Sequence, residues 1–232
     1  MAAMTRTARR GAKGRAGRPR SAAGTREALL AAGTELFAEH GFDGASVSAI
    51  AQKAGVNKAM ISYYFGGKRD LYAAILVATF EEIVADAERV AGSSGPAPRV
   101  LREIIATIGE SATRRHPHFC TMLLREVLTG GTRLEKAVLA QPVRLLGAVQ
   151  RVVERGIREG AFRPVDPLLT HLSLVGSLVF FFATARFRQR VLRDRLHREE
   201  PDGATYVAHL QDLILEGLVT RESGAARARG PV

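Results

Sequence analysis

Apolar side chains recur at intervals of three and four residues along most of the chain, which is the spacing of one face of an α-helix. Near the start, Leu36 and Phe37 follow this spacing, and Gly41 then gives a stop signal. Ser46 is a candidate N-cap for a second helix that ends at Gly55. The pattern predicts four helices in this region, at about residues 25–40, 46–54, 57–65 and 68–90.

A run of small and polar residues from Gly92 to Pro98 is the clearest interruption of the helical pattern, and it predicts a joint between domains or subdomains. Helical spacing resumes after this run, in segments separated by prolines and glycines. The further helices are predicted at about residues 98–115, 117–129, 132–139, 142–159, 166–195 and 203–221. Because apolar and polar residues nowhere alternate over any length, the sequence predicts an all-α fold.

Positive charge is concentrated at the beginning of the chain. The sequence has 34 Lys and Arg residues against 23 Asp and Glu residues, a formal net charge of +11. Seven of the basic residues and no acidic residue lie within residues 1–21. Residues 1–24 are also poor in large apolar side chains, so a disordered basic arm is predicted there, and a short flexible tail at 222–232. Such an arm favours a polyanionic partner, because each neutralised phosphate releases condensed counterions.

The composition also limits the compartment. The one cysteine, Cys120, excludes an intramolecular disulfide framework, so the chain is predicted to be cytoplasmic and reduced. The arm lacks the apolar segment of a signal peptide, and a transit peptide is the weaker alternative. The longest apolar stretch, residues 168–185, is interrupted by polar residues, so it predicts a buried helix and no membrane partner.

Residues 46–65 satisfy the requirements of a helix-turn-helix. Such a motif needs a small residue where its two helices touch, a glycine at the turn, and apolar residues that hold the second helix against the first. Ala51, Gly55 and Ile61 meet these needs in the right order, together with Val56. With Val56, Ile61 and Tyr64 buried, the opposite face of the second helix presents Asn57, Lys58, Ala59, Ser62 and Tyr63. Those side chains are placed to contact bases or phosphates in a DNA major groove.

The segment from residue 25 to residue 76 resembles the DNA-binding domain of the TetR family of bacterial transcriptional regulators. The residues that carry the resemblance are Ala32, Leu36, Phe37, Ala38, Glu39, Gly41, Phe42, Ala54, Gly55, Val56, Tyr63, Tyr64, Phe65, Lys68 and Leu71. It implies an N-terminal three-helix helix-turn-helix DNA-binding domain at residues 25–67, with the start of helix four to about residue 76. The long fourth helix would join this domain to a C-terminal helical ligand-binding and dimerisation domain, which is placed at residues 68–221.

The resemblance also implies which side chains meet DNA. Those expected at phosphates are Ser46, Ser48, Lys58, Tyr63 and Lys68. Those expected at bases or sugars are Asn57, Lys58, Ala59 and Ser62. Ser62 departs from the aromatic residue that many members carry at this place, so one contact would be lost. The alternatives are that Lys68 is an ordinary solvated lysine and that Tyr63 and Tyr64 are core residues, which is the preferred interpretation for Tyr64.

The arm contains a second DNA-binding signature just ahead of the first helix. Gly17-Arg18-Pro19-Arg20 resembles an AT-hook, in which extended backbone lets arginine side chains enter a narrow minor groove. Arg18 and Arg20 would be the inserted residues. A solvated basic tail that adds only nonspecific affinity is an equal alternative, and both interpretations favour a DNA partner.

Metal-dependent and enzymatic functions are not indicated by the sequence. His116, His118 and Cys120 are good ligand types for zinc or copper, but their spacing scatters them around a helix that starts at Pro117. There is no glycine-rich phosphate loop, no nucleophile elbow, and no pair of carboxylates in an apolar context. The chain is therefore predicted to bind no metal or cofactor and to have no catalytic activity.

The C-terminal two-thirds is expected to form a dimer and to hold a ligand. By the resemblance, the last two long helices, 166–195 and 203–221, would pair with those of a second copy as a four-helix bundle. The apolar residues assigned to that interface are Leu172, Val175, Val179, Phe180, Phe182, Leu210, Leu213, Ile214 and Leu218. A cavity between helix four and helices five to eight would be lined by Ile104, Ile108, Phe119, Met122, Leu123, Val149, His171 and Phe181, each of which could instead be plain core.

These features together predict a bacterial DNA-binding transcriptional regulator. The favoured form is a homodimeric repressor that binds a palindromic double-stranded DNA operator and is released by an unidentified small-molecule effector. A transcriptional activator of the same fold and a nonspecific DNA-binding architectural protein are the alternatives. A helical ligand-binding or enzymatic protein that has kept only the fold of a regulator is a third.

Overall fold

The computed structural model describes residues 21–220, and these residues form ten α-helices. Their bounds are α1 Ala22–Gly44, α2 Val47–Ala54, α3 Ala59–Phe65, α4 Lys68–Ala91, α5 Ala97–Glu110, α6 Phe119–Leu128, α7 Lys136–Arg158, α8 Pro167–Ala183, α9 Ala185–Val191 and α10 Gly203–Leu218. Short π-helical turns, Ser111–Arg115 and Leu192–Leu196, follow α5 and α9. The predicted all-α fold is confirmed. The arm residues Arg18 and Arg20 and the predicted tail lie outside the described residues.

The first helix begins earlier than the sequence pattern indicates. The Ser21 hydroxyl oxygen accepts a hydrogen bond from the Gly24 backbone N–H at 3.2 Å, so Ser21 caps α1. Residues 22–24, which were assigned to the disordered arm, are therefore helical. At the other end, Gly41 has φ +73° and interrupts the helical backbone inside α1, as its stop signal predicts.

The prediction of two helices around Pro142 is wrong, because α7 continues through this residue. Pro142 is exposed, and its missing N–H costs the helix a single backbone hydrogen bond. Val138 before the proline and Leu145 after it are both buried in the core. Burial of a common apolar face on both sides of Pro142 therefore outweighs the local penalty.

The predicted single helix over residues 166–195 is also wrong. It breaks at Thr184, and α9 with the turn that follows it leaves α8 at an angle of 65°. The Thr184 hydroxyl donates to the Phe180 carbonyl oxygen at 2.7 Å, which satisfies an acceptor at the end of α8. None of the α9 residues is buried, so this segment lies at the surface of the core.

The apolar core is continuous from Leu29 in α1 to Leu218 in α10. The long helix α4 is its centre, since it packs against α1 and α3 near its start and against α5 and α7 further along. The loop from Gly92 to Pro96 only connects α4 to α5, and these two helices pack against each other. The predicted joint between domains or subdomains therefore lies between two helices that remain packed against each other.

Candidate DNA interface, dimer face and interdomain contacts

Local chemistry fixes the turn between α2 and α3. The Ser46 hydroxyl oxygen accepts from the Ala49 backbone N–H at 3.0 Å and caps α2. At the other end, Gly55 adopts the left-handed conformation with φ +68° and ψ +36°, which glycine takes without steric cost. Ala51 and Ile61 are buried where the two helices meet. This arrangement is that of a helix-turn-helix, with α3 as the helix that would enter DNA.

One face of α3 and of the residues just before it is open to solvent. The exposed residues are Asn57, Lys58, Ala59, Ser62 and Tyr63, as the helix-turn-helix pattern predicts. Val56 and Tyr64 lie on the other side, where they are half-buried against the core. Tyr63 is 76% exposed, and its ring meets the Tyr64 ring edge-on, with centroids 5.0 Å apart.

Two of the residues expected at DNA also have partners within the chain. The Asn57 side-chain oxygen accepts from the Ala59 backbone N–H at 2.9 Å, which orients the amide and leaves its N–H groups free to donate. The Lys68 ammonium lies 3.4 Å from the Asp43 carbonyl oxygen and 4.6 Å from the Phe42 ring centroid. Ser46 and Ser48 are exposed at the start of α2.

Residues 22–70, which contain α1 to α3 and the start of α4, carry no net charge, although the helix-turn-helix itself at residues 46–65 has two lysines and no acidic residue. Between residues 22 and 70 the basic residues are Arg26, Lys53, Lys58, Lys68 and Arg69, and the acidic residues are Glu27, Glu35, Glu39, Asp43 and Asp70. Five positive charges therefore balance five negative ones. The basic arm, with seven positive charges within residues 1–21, adds the largest concentration of positive charge next to this region.

Polar contacts tie this region to the C-terminal helices. The Arg125 guanidinium on α6 donates to the Phe37 carbonyl oxygen on α1 at 3.2 Å. In the loop after α6, Arg133 donates to the Asp43 carboxylate at 2.8 Å. We call these two contacts, with the Tyr72–Glu126 pair described next, the interdomain contacts. The sequence pattern does not indicate them, because their partners lie 54 to 90 residues apart.

The Tyr72–Glu126 pair is the buried member of the interdomain contacts. The Tyr72 hydroxyl on α4 donates to Glu126 Oε1 on α6 at 2.9 Å, and Glu126 is only 1% exposed. Burial raises the pKa of Tyr72, and the nearby carboxylate adds to the shift, so the phenol remains a proton donor. Glu126 Oε2 has no hydrogen-bond partner, and the nearest guanidinium, that of Arg133, is 3.9 Å from Oε1.

All eight residues assigned to the ligand cavity are buried. Phe119 and Met122 line a cavity of about 240 Å³ between α1, α4 and α6. Four others, Ile104, Ile108, Leu123 and Val149, belong to the continuous core. Phe181 stacks on Tyr206 of α10 with ring centroids 3.7 Å apart. His171 Nδ1 has no partner, and burial lowers the pKa of this imidazole.

The residues assigned to the dimer interface divide into an outer and an inner set. Phe180 and Leu172 on α8 are 62% and 56% exposed, and Leu213 on α10 is 59% exposed. Val175, Val179, Phe182 and Ile214 are half-buried. The assignment of Leu210 and Leu218 needs correction, because both are buried in the core of a single chain and present no surface to a partner.

The histidines and the cysteine near the start of α6 have other environments. His116 Nε2 lies 3.0 Å from Glu82 Oε2. Cys120 is buried, which raises the pKa of its thiol to about 12. Within residues 21–220, no group of three or more His, Cys, Asp or Glu side chains is arranged to hold a metal ion.

In the described part of the chain, no single helix is both long and apolar enough to cross a bilayer. Taken together, α8 and the segment Ala185–Leu196 are long and apolar enough for a span by length and composition alone, but the two helices are bent by 65° relative to each other.

Comparison with known proteins supports the same assignment for both halves of the chain. Residues 29–75 match the family model of bacterial regulatory proteins of the tetR family, and residues 99–214 match the tetracyclin repressor-like C-terminal domain. The HTH-type transcriptional repressor NicS of Pseudomonas putida is 30% identical over 200 residues, which cover 84% of this chain and 92% of NicS. The HTH-type transcriptional regulator RutR of Escherichia coli is 23% identical, over 88% of this chain and 95% of RutR.

The fold is shared with solved structures of the same kind. The transcriptional regulator FadR from Bacillus subtilis, in complex with stearoyl-CoA, superposes with a TM-score of 0.66 at 19% identity. The match covers 82% of this chain and 98% of FadR. Both curated relatives are transcriptional regulators by name, in agreement with the predicted function. The chain belongs to the TetR family of bacterial regulatory proteins and is a DNA-binding transcriptional regulator.

Proposed function

We propose that the chain is a homodimeric repressor, acting in the cytoplasm on nucleoid DNA, that binds a palindromic operator and is released by a small-molecule effector. The observation that carries this proposal is the exposed apolar face formed by Leu169, Leu172 and Phe180 on α8 and Leu213 on α10. We call it the dimer face. Soluble monomers rarely expose several large apolar side chains side by side, so a second copy is the natural cover.

Two small residues support close packing at the dimer face. Gly176 on α8 and Gly217 on α10 are both exposed, and a Cβ added to either would meet nothing within 4 Å. Helices can approach closely over such positions. A dimer built on α8 and α10 is a four-helix bundle, which leaves both recognition helices α3 free to bind DNA.

A dimer also explains how α3 reads an operator. Two recognition helices bind successive major-groove faces only when they are about 34–36 Å apart, or a multiple of that distance. An effector that prefers a dimer with another spacing lowers operator affinity by its differential affinity for the two states. NicS is named a repressor, and FadR was solved with stearoyl-CoA, so repression and binding of a non-DNA ligand both occur among similar proteins.

The experiment compares charged variants of the dimer face. Phe180→Glu and Leu213→Glu each place an unpaired carboxylate in a desolvated interface and should weaken association by several kcal/mol. Val143→Glu is the matched control, because Val143 is an exposed apolar residue of α7 outside the dimer face. Sedimentation should show monomers only for the first two variants, and their operator binding should fail while circular dichroism stays helical.

The outcomes separate the proposal from its alternatives. A monomeric variant with full operator affinity would refute the dimeric mechanism. A charged variant that stays dimeric would show that the dimer interface lies elsewhere on the chain. An architectural protein predicts equal affinity for operator and random DNA, whereas an operator-specific regulator predicts a ratio of about 10³ or more. Transcription in vitro from an operator promoter decides between repressor and activator, since only a repressor lowers the transcript level.

A further inference from the structure

A cleft of about 570 Å³ opens where the DNA-binding region meets the C-terminal helices. One wall is the C-terminal half of α1, and the other is formed by the start of α6 and the corner between α8 and α9. Its volume lies within the roughly 300–1,000 Å³ typical of small-molecule sites. It is separate from the core residues assigned to the ligand cavity, none of which lines it.

The two walls of this interdomain cleft carry opposite charges. The α1 wall contributes the carboxylates of Glu35 and Glu39, and the opposite wall contributes His118 and the guanidinium groups of Arg125 and Arg186. A ligand that spans the cleft therefore meets carboxylates that can bind a cationic group on one side. On the other side it meets hydrogen-bond donors that can bind an anionic group.

No ion pair closes the interdomain cleft within residues 21–220. Glu35 binds Lys53 of α2 at 2.6 Å, and Glu39 has only His40 at 3.8 Å, on its own helix. Arg186 is exposed and forms no ion pair in the described part of the chain. Lys53 holds the pKa of Glu35 below its ordinary value, and His118 contributes in the same direction across the cleft. The opposing charges therefore act on each other without direct contact.

Apolar surface lies beside these charges. Phe187 lines the interdomain cleft and is 70% exposed, while Phe182 lines it from the end of α8 and is half-buried. Ala38 faces them from α1. Aromatic rings of this kind offer stacking partners to a flat apolar group.

We propose that the interdomain cleft binds a small zwitterion with an aromatic side group, of the amino-acid class. Its ammonium binds Glu39 on α1, its carboxylate binds Arg186 and His118, and its ring packs on Phe182 and Phe187. This inference rests on the proposed function, because it names the chemical class of the effector and the place where it acts. Such a ligand joins α1 directly to the C-terminal helices, so it fixes the position of the recognition helix relative to the dimer face.

The test is a binding series on the full-length wild-type protein by isothermal titration calorimetry. The probes are phenylalanine, tyrosine and tryptophan, with phenethylamine and 3-phenylpropionate as analogues that keep only one charge, and glycine as a zwitterion without a ring. At least one aromatic amino acid should bind saturably. Each single-charge analogue should bind the protein at least about tenfold more weakly than this amino acid does, because a charge-assisted hydrogen bond is lost.

Matched variants locate the site. Glu39→Gln and Arg186→Gln should each weaken binding of the amino acid about tenfold or more. Glu27→Gln on α1 and Arg190→Gln on α9 are the controls, because both residues are exposed and neither lines the interdomain cleft. These two should bind the amino acid as the wild type does.

Three results would overturn the inference: no binding by any aromatic amino acid, a single-charge analogue that binds as tightly, or unchanged affinity in both cleft variants. Titration of the operator without any amino acid tests the dimeric repressor separately. A protein that binds its operator but none of the amino acids would keep the proposed function and lose only this site.

Discussion

Removal of the Tyr72 hydroxyl tests whether its hydrogen bond to the buried Glu126 carboxylate stabilises the junction between α4 and α6. Tyr72→Phe keeps the ring that meets Phe37 and Phe42 edge-on and deletes only the donor 2.9 Å from Glu126 Oε1. Glu126 Oε2 already has no partner, so the variant leaves a buried carboxylate without any hydrogen bond.

The size of the effect follows from this burial. A hydrogen bond to a charged group contributes about 1.5–3 kcal/mol, and a buried charge that loses its partner costs about 3–5 kcal/mol. We expect a loss near the overlap of these ranges, about 3 kcal/mol. For a chain of this length, each kcal/mol lowers the melting temperature by about 2–4 °C, so a decrease of about 6–12 °C is expected. Thermal unfolding followed by circular dichroism at one fixed protein concentration measures it.

A second variant separates the lost hydrogen bond from a simple packing defect. Glu126→Met removes the buried charge and keeps an unbranched side chain of similar length. In the double variant Tyr72→Phe with Glu126→Met, no buried polar atom of the pair is left unpaired, so most of the stability should return. A wild-type melting temperature for Tyr72→Phe, or a double variant less stable than Tyr72→Phe alone, would refute this reasoning.

Titrations of salt, pH and thiol reagent test three other side chains. Lys58→Ala should reduce the slope of log operator affinity against log salt by about 0.9, as one phosphate contact is lost, and an unchanged slope would remove Lys58 from the backbone contacts. Burial lowers the pKa of His171, so the unfolded chain binds the proton more readily and stability should fall as pH drops below about 6.5. Melting temperatures of His171→Gln between pH 8 and pH 5.5 should show a smaller decrease than those of the wild type. The Cys120 thiol, whose pKa burial raises to about 12, should react with iodoacetamide only after denaturant unfolds the chain, and rapid labelling of the native protein would contradict its burial.

The elements predicted best are those fixed by local chemistry. Gly55 has the left-handed backbone that the turn requires, Ser46 caps α2, and Ile61 is buried beneath the recognition helix. Each of these depends on side chains only a few residues apart, so the sequence pattern contains the necessary information. The exposed face of α3 follows from the same periodicity.

The wrong predictions concern places where packing between residues distant in the sequence decides the structure. Pro142 is tolerated inside α7 because a shared buried face continues past it, and the pattern around a proline does not report this. Leu210 and Leu218 have the same apolar character as Leu213, and only the position of α10 against α5 and α8 shows which side each one faces. The interdomain contacts were missed for the same reason, since nothing near Tyr72 in the sequence indicates Glu126.

The central position of α4 limits how this regulator can be recombined with a relative to change its DNA specificity. A crossover ahead of α4 would bring a foreign α1 against Ile75, whose Cδ1 lies 3.0 Å from where a Cβ on Gly33 would stand, so a larger residue there would require the Ile75 side chain to shift by a few tenths of an ångström. A crossover after α4 would preserve that contact, but Tyr72 and its partner at position 126 would then come from different parent proteins. Specificity is therefore transferred with least disruption by grafting only the outward residues of α3 onto an otherwise unchanged chain, because those side chains take no part in the apolar core.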